Sequence, residues 1–204
     1  MLRYSSRTWI TREVPTQAKR RLEWGTREGT LIHMHDQRPF EETHPHLREF
    51  KEFLDASNKE SERGLALICA AMLDDLLEKS IRAFLLDHEA TARLLDGFNA
   101  PLGTLSARAL AAFALGVLSE KEYRECEKLR KVRNIFAHNI HASFSDQNVK
   151  DLCANLELST KDYGEVRVGA RGQYATAATA LILNLTNRPH YAGLRRLKYS
   201  RWPY

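Results

Sequence analysis

Arg133, Asn134 and His138 fall within one short run, Arg-Asn-Ile-Phe-Ala-His. Their types suit phosphate chemistry. A guanidinium grips phosphate oxygens in bidentate fashion and stays charged at any working pH. An imidazole titrates near neutrality and can give or take a proton. Such a pair can cleave RNA without a metal: the histidine moves a proton at the ribose 2′-hydroxyl or the leaving oxygen, and the arginine stabilises the charged phosphorane. On a helix turning about 100° per residue, Leu129, Val132, Phe136 and Ile140 share one face, with Arg130, Arg133, Asn134, Ala137, His138 and His141 opposite. Asn134 and His138, four apart, are neighbours there. One such strip is half a cleft, and a symmetry mate would supply the rest, which predicts a homodimer. The competing reading is a plain solvated face of an amphipathic helix.

The strip needs a long helix over residues 120–140. Ser119 followed by Glu122 is a capping box that would open it. Upstream, Leu47, Phe50 and Leu54 recur at helical spacing and stop near Ser57-Asn58. Asn58 or Ser61 caps a long helix over 64–86, apolar enough to be the centre of a bundle. A short helix over 89–95 leads into the loop Gly-Phe-Asn-Ala-Pro-Leu-Gly. Thr104 or Ser106 caps the next helix, which ends at Gly116. A short helix follows over 146–156, then an alternating stretch over 156–168 around Asp162-Tyr163-Gly164 that reads as a hairpin-like turn. The last helix covers 170–187 and stops before Pro189. The fold class expected is all-α, a helical bundle of five to seven helices with room for one small β-hairpin. Residues 1–44 form an extension, 45–187 the helical domain and 188–204 a tail. Within the extension, residues 7–14 and 30–35 read as a small hairpin.

Four further polar residues read as structural. Arg63 sits at a helix start, where the macrodipole disfavours it, and needs a carboxylate partner. Asp74 and Asp75 interrupt the central helix, and one of them is expected to face Arg130 or Arg133. Asn99, before Ala-Pro, is expected to close a turn with its side chain.

Other classes drop out. The apolar runs are too short and broken for a bilayer span of about 20 residues, and residues 1–15 lack the apolar block of a secretory signal. Cys69, Cys126 and Cys153 are scattered and odd in number, which predicts reduced thiols in a cytoplasmic protein. The pairs His33/His35 and His44/His46 lack completing ligands, so no metal site is assigned. No GxGxxG, P-loop, HExxH or GxSxG motif occurs, and no cofactor is expected.

The chain has 204 residues and a net charge of +5, from 31 Lys and Arg against 26 Asp and Glu. Arg188, Arg195, Arg196, Lys198 and Arg201 all follow Asn187, where no acid occurs. The whole excess therefore belongs to the tail, among Tyr191, Tyr199, Trp202 and Tyr204. Basic plus aromatic composition grips phosphate and stacks bases. Packing over a bundle with snorkelling arginines gives the same composition.

The run Arg133 to His138 resembles the R-x4-6-H motif of HEPN domains, with Asn134 as the polar residue after the arginine. That resemblance implies a helical bundle, dimerisation and, in many members, metal-independent RNase activity in toxin or defence systems. A wider match lies in ordered blocks: Ser-Glu-Arg-Gly at 61–64, Leu-Ile-Cys-Ala-Ala-Met-Leu-Asp-Asp-Leu-Leu at 67–77, Gly-Phe-Asn-Ala-Pro-Leu at 97–102, Ala-Phe-Ala-Leu-Gly at 112–116, Arg-Lys-Val-Arg-Asn-Ile-Phe-Ala-His-Asn at 130–139 and Asp-Leu-Cys at 151–153. Together these resemble the mannitol operon repressor (MtlR-like) family over residues 50–187. That resemblance implies an all-helical regulator. The function expected is a non-enzymatic regulatory protein that binds nucleic acid, DNA or RNA, or a protein partner. Arg130, His141, Arg188, Arg195, Arg196, Lys198, Arg201, Tyr199 and Trp202 are its candidate contacts. The alternative is an HEPN-type endoribonuclease with Arg133, His138 and Asn134 at a dimer interface.

Overall fold

Hydroxyl side chains set three of the helix starts. A computed structural model describes residues 40–203. In order these form α1 (Phe40–Thr43), a 3-10 turn (Pro45–Leu47), α2 (Arg48–Ser57), α3 (Glu62–Phe84), α4 (Glu89–Leu95), α5 (Leu105–Ala114), α6 (Glu120–His138), α7 (Gln147–Ala154), α8 (Ala170–Thr186) and α9 (Arg188–Leu194). Ser61 accepts the Gly64 N–H at 3.0 Å and opens α3. Thr104 accepts the Ala107 N–H at 3.2 Å and opens α5. Ser119 opens α6 with the full capping box: its Oγ takes the Glu122 N–H, and the Glu122 carboxylate takes the Ser119 N–H at 2.8 Å. Each bond satisfies an N–H that the helix cannot pair internally.

The end of α5 is equally local in origin. Gly116 has φ +69°, a left-handed position that suits glycine. It lets the Gly116 N–H reach Phe113 O and the Val117 N–H reach Ala112 O, the paired bonds of a Schellman ending.

The fold is an all-α bundle around α3. Leu65, Ala66, Cys69, Leu73, Leu76, Leu77 and Ile81 of that helix are buried, a stripe wide enough to meet several neighbours. α5, α6, α8 and α9 all pack on it. Alanines on the helix faces, Ala66, Ala109, Ala112, Ala177 and Ala178, are fully buried and let the axes approach closely. Phe136, Phe144 and Tyr174 form an aromatic chain, with ring centroids 4.8 and 5.5 Å apart. The Tyr174 hydroxyl donates to Ala66 O at 3.2 Å, and burial pushes its pKa well up. Glu125 is fully buried on α6, and its carboxylate accepts the N–H groups of Glu157 and Leu158 at 3.1 and 2.9 Å. All three cysteines are buried free thiols, and burial pushes each up to about 12.

Three expectations need correction. α6 ends at His138, so Ile140 leaves the helix face and is 81% exposed. The expected hairpin over 156–168 is reduced to one antiparallel bridge, Tyr163 to Val166, with no strand among the described residues. α8 is not the last helix: Pro189 lies in the first turn of α9, where its missing N–H removes no helical bond. The hairpin expected over 7–14 and 30–35, with His33 and His35, lies outside the described residues. Among the described residues, no helix is long and apolar enough to cross a membrane.

α9 is tied to α6 by charge. Arg188 donates to Glu122 at 2.6 Å and also to Val117 O. Burial alone would raise the Glu122 carboxyl, but the Arg188 and Ser119 hydrogen bonds outweigh it and hold it below its ordinary 4.5. A carboxylate held low stabilises the fold above its unfolded value and loses that contribution as pH falls. Arg188→Ala is therefore expected to cost about 2 kcal/mol at neutral pH, with the deficit shrinking well below pH 4.5. Urea unfolding at both pH values measures it, and an equal deficit at both would contradict the assignment.

Candidate functional site

The first turn of α3 holds the far end of α6. Arg63 donates to the backbone carbonyls of Phe136 and, at 2.6 Å, of Asn139. The last carbonyls of a helix lack internal partners and carry the negative end of its dipole, so a guanidinium there is doubly favoured. Its partner is thus a helix C-terminus rather than the expected carboxylate. Beside it, Glu62 accepts the Phe144 N–H at 3.0 Å. One turn of α3 thereby fixes the corner that follows α6.

With α6 fixed at both ends, its polar strip meets α3 and the start of α5. These three elements enclose a cleft of about 600 Å³. α3 contributes Leu67, Ala70, Ala71 and Asp74; α5 and its cap contribute Gly103, Thr104, Leu105 and Ser106; α6 contributes Arg130, Arg133 and Asn134. Of the apolar lining on α3, Ala70 is buried while Leu67 and Ala71 are exposed; the polar lining carries guanidinium, amide, hydroxyl and carboxylate groups. Arg130 is committed to Glu127 in a two-bond fork at 2.9 and 2.7 Å. Arg133, half-buried, donates to Asn134 Oδ1 at 3.1 Å.

Asp74 does line this cleft, but neither Arg130 nor Arg133 is its ion-pair partner. Its Oδ2 takes Arg108 Nη1 at 2.6 Å. Arg108, 8% exposed, also meets Glu78 at 2.8 Å, Leu102 O at 2.9 Å and Leu95 O at 3.4 Å. This one side chain joins α5, α3 and the loop after α4. It is the residue that the sequence reading missed. Arg108 is the one charged residue of α5 and lies on the face of Leu105 and Ala112, while Asp74 and Glu78 lie one turn apart on α3. Asp75 points elsewhere and pairs with Lys79 at 2.9 Å. Asn99 serves the loop by its backbone, at φ +67°, a region asparagine tolerates.

The structure does not bring His138 into the cleft. It is the last residue of α6, exposed, beyond the lining that Arg133 and Asn134 share. His141 is also exposed, and its N–H donates to Asn139 Oδ1. In the tail, Arg196 donates to Ala83 O at 3.1 Å and pairs with Asp87 at 3.1 Å, and the Leu197 N–H reaches Phe84 O at 2.8 Å. Those bonds finish the C-terminus of α3. Arg195, Lys198, Tyr199, Arg201 and Trp202 are exposed. Among the described residues, no three His, Cys, Asp or Glu side chains gather as a metal site would require.

Comparison with known proteins adds family and fold. The family model described as "Mannitol repressor" (MtlR) matches residues 53–174, more than half of the chain. A chain of the X-ray structure of the MtlR-HPr complex from Escherichia coli superposes with a TM-score of 0.51, covering 71% of this chain and 98% of that one at 20% identity. At that identity the likeness is one of fold. No curated protein matches the sequence.

Two substitutions check the framework. Arg63→Ala is expected to cost about 1–2 kcal/mol and to speed amide exchange in the last turn of α6 while leaving α3 protected. Uniform exchange across both helices would contradict the capping role. Arg108→Met leaves Asp74 and Glu78 without their shared cation and is expected to cost about 3–5 kcal/mol by urea unfolding. A cost below about 1 kcal/mol, that of a surface pair, would show the junction is dispensable.

Proposed function

The chain belongs to the mannitol repressor family, and from that premise we propose that it is a non-enzymatic regulatory protein that acts by binding a protein partner. HPr, the protein held by the MtlR of the solved complex, is the first candidate. The observation that carries the reading is the family match across the central helices, α3 to α7, together with a fold shared over nearly the whole length of that MtlR-complex chain.

The polar strip supports the same choice. An RNase of the HEPN type needs its arginine and histidine at one phosphodiester. Here Arg133 lines the cleft and His138 lies outside it at the helix end. Asn134 is engaged by Arg133 rather than by the histidine. The nearby carboxylates are paired within the bundle, Asp74 with Arg108 and Glu127 with Arg130.

Titration calorimetry of the full chain with HPr from the same organism is expected to give saturable binding, in the about micromolar range common for modest interfaces. Absence of heat and of co-elution would overturn HPr as partner. Incubation with labelled RNA in the presence of a chelator is expected to leave the RNA intact. Cleavage that disappears in both Arg133→Ala and His138→Ala would replace this reading with the endoribonuclease.

A further inference from the structure

The segment after Asn187 carries five cations and no acid, and the bundle consumes two of them. Arg188 is spent on Glu122 and Val117 O, and Arg196 on Asp87 and Ala83 O. The acids that reach this segment are thereby neutralised. Arg195, Lys198 and Arg201 are exposed, and among the described residues none of their side chains has an ion-pair partner. Their positive charge stands uncompensated.

The rings of the same segment are not packing material. Tyr199 is 85% exposed and Trp202 78%, with Tyr191 exposed upstream. A tail that packs over a bundle with snorkelling arginines would cover such rings. Here they stand in water, as surfaces for something else to cover. The segment is nevertheless held at its root. The Leu197 N–H bond to Phe84 O, at 2.8 Å, and the Arg196 contacts fix it on the end of α3. Beyond Leu197, Lys198 to Pro203 take no backbone hydrogen bond among the described residues. Just upstream, Tyr191, Leu194 and Arg195 form one wall of a groove of about 690 Å³, faced by Phe84, Leu115 and Val117. The tail leaves from that wall.

We propose that this tail and the wall it leaves from bind single-stranded RNA. The phosphates lie on Arg195, Lys198 and Arg201, and bases stack on Tyr199 and Trp202, with Tyr191 as a third platform at the groove. Cations alone would suit an acidic protein equally well. Cations interleaved with solvated rings suit a polymer that alternates phosphates with flat bases. A bilayer surface asks for an apolar face set apart from the charged one, whereas Lys198 and Arg201 each stand directly beside a ring. A duplex offers base edges in its grooves and would leave the rings uncovered, while a single strand offers the faces. The segment lies outside residues 53–174, which the family model matches. It would add an RNA contact to a regulator whose protein partner is a separate matter.

Fluorescence anisotropy of the full chain with a labelled oligouridine of about 12 nucleotides tests this. Saturable binding is expected, with log K falling against log salt at a slope of about −2, the value for three phosphates of a single strand. A chain shortened after Leu197 keeps α9 and the anchoring bonds. It is expected to unfold at the same urea midpoint as the full chain and to lose the RNA. Trp202→Ala is expected to weaken binding about tenfold with the salt slope unchanged, as the loss of one stacked base would. The triple change Arg195→Gln, Lys198→Gln and Arg201→Gln is expected to flatten the slope. No binding at low salt, full binding by the shortened chain, or unchanged affinity in Trp202→Ala overturns the proposal. So does displacement of the oligouridine by duplex DNA, poly-glutamate or phosphatidylglycerol vesicles at equal or lower concentration of charge. HPr binding is read without RNA, so its failure and the failure of this site are told apart.

Discussion

Helix C-termini present backbone carbonyls that nothing inside the helix can satisfy, and this protein meets that demand with arginines from distant parts of the chain. Arg63 covers the end of α6. Arg196 and the Leu197 N–H cover the end of α3. Arg108 reaches Leu95 O at the end of α4 and Leu102 O in the loop beyond. A guanidinium suits this work because its planar fork reaches two acceptors and opposes the negative end of the dipole. Each arginine also bridges two elements, so the bond that completes one helix locates another. The bundle is consequently held by directional contacts at its corners as well as by apolar burial along its faces.

The site inherits its geometry from those corners. α6 is pinned at its start by the Glu122–Arg188 pair and at its end by Arg63. Between these points its rotation is set by Leu129, Val132 and Phe136 in the core. Arg130, Arg133 and Asn134 then have one place to go, the groove left by α3 and the start of α5. Ala70 and Ala71 are among the residues that line that groove, each with a single methyl group. His138 lies between the two carbonyls that Arg63 takes, but its side chain is exposed and outside the cleft lining, so a motif contiguous in sequence divides between a cleft and a surface.

Local signals were legible in the sequence. Ser61, Thr104, the Ser119/Glu122 box and Gly116 mark helix boundaries because the bonds involved span only a few residues. Family membership was legible too, from ordered blocks spread along the helices. Partner choice was not. A charge opposite another in space leaves no periodic trace, so the sequence pattern points Asp74 at Arg130 or Arg133 whereas its partner is Arg108. Arg63 was given a carboxylate because propensity treats a helix start in isolation, whereas the neighbouring helix end decided the matter. Pro189 read as a stop because helix-breaking is its commoner effect, although the same ring fits a first turn.

The three buried thiols carry a last consequence. With each pushed up to about 12, the thiolate fraction at neutral pH is roughly one in 100,000, and the sulfurs are also shielded from reagents. The native chain is therefore close to silent toward maleimides and mild oxidants. A single cysteine placed at Phe98, whose side chain stands 98% exposed on the loop before α5, would be the one reactive sulfur and would carry a spectroscopic label without any removal of the native cysteines. Sulfur in this protein serves as packing material, and its chemistry is left free for use as a reporter.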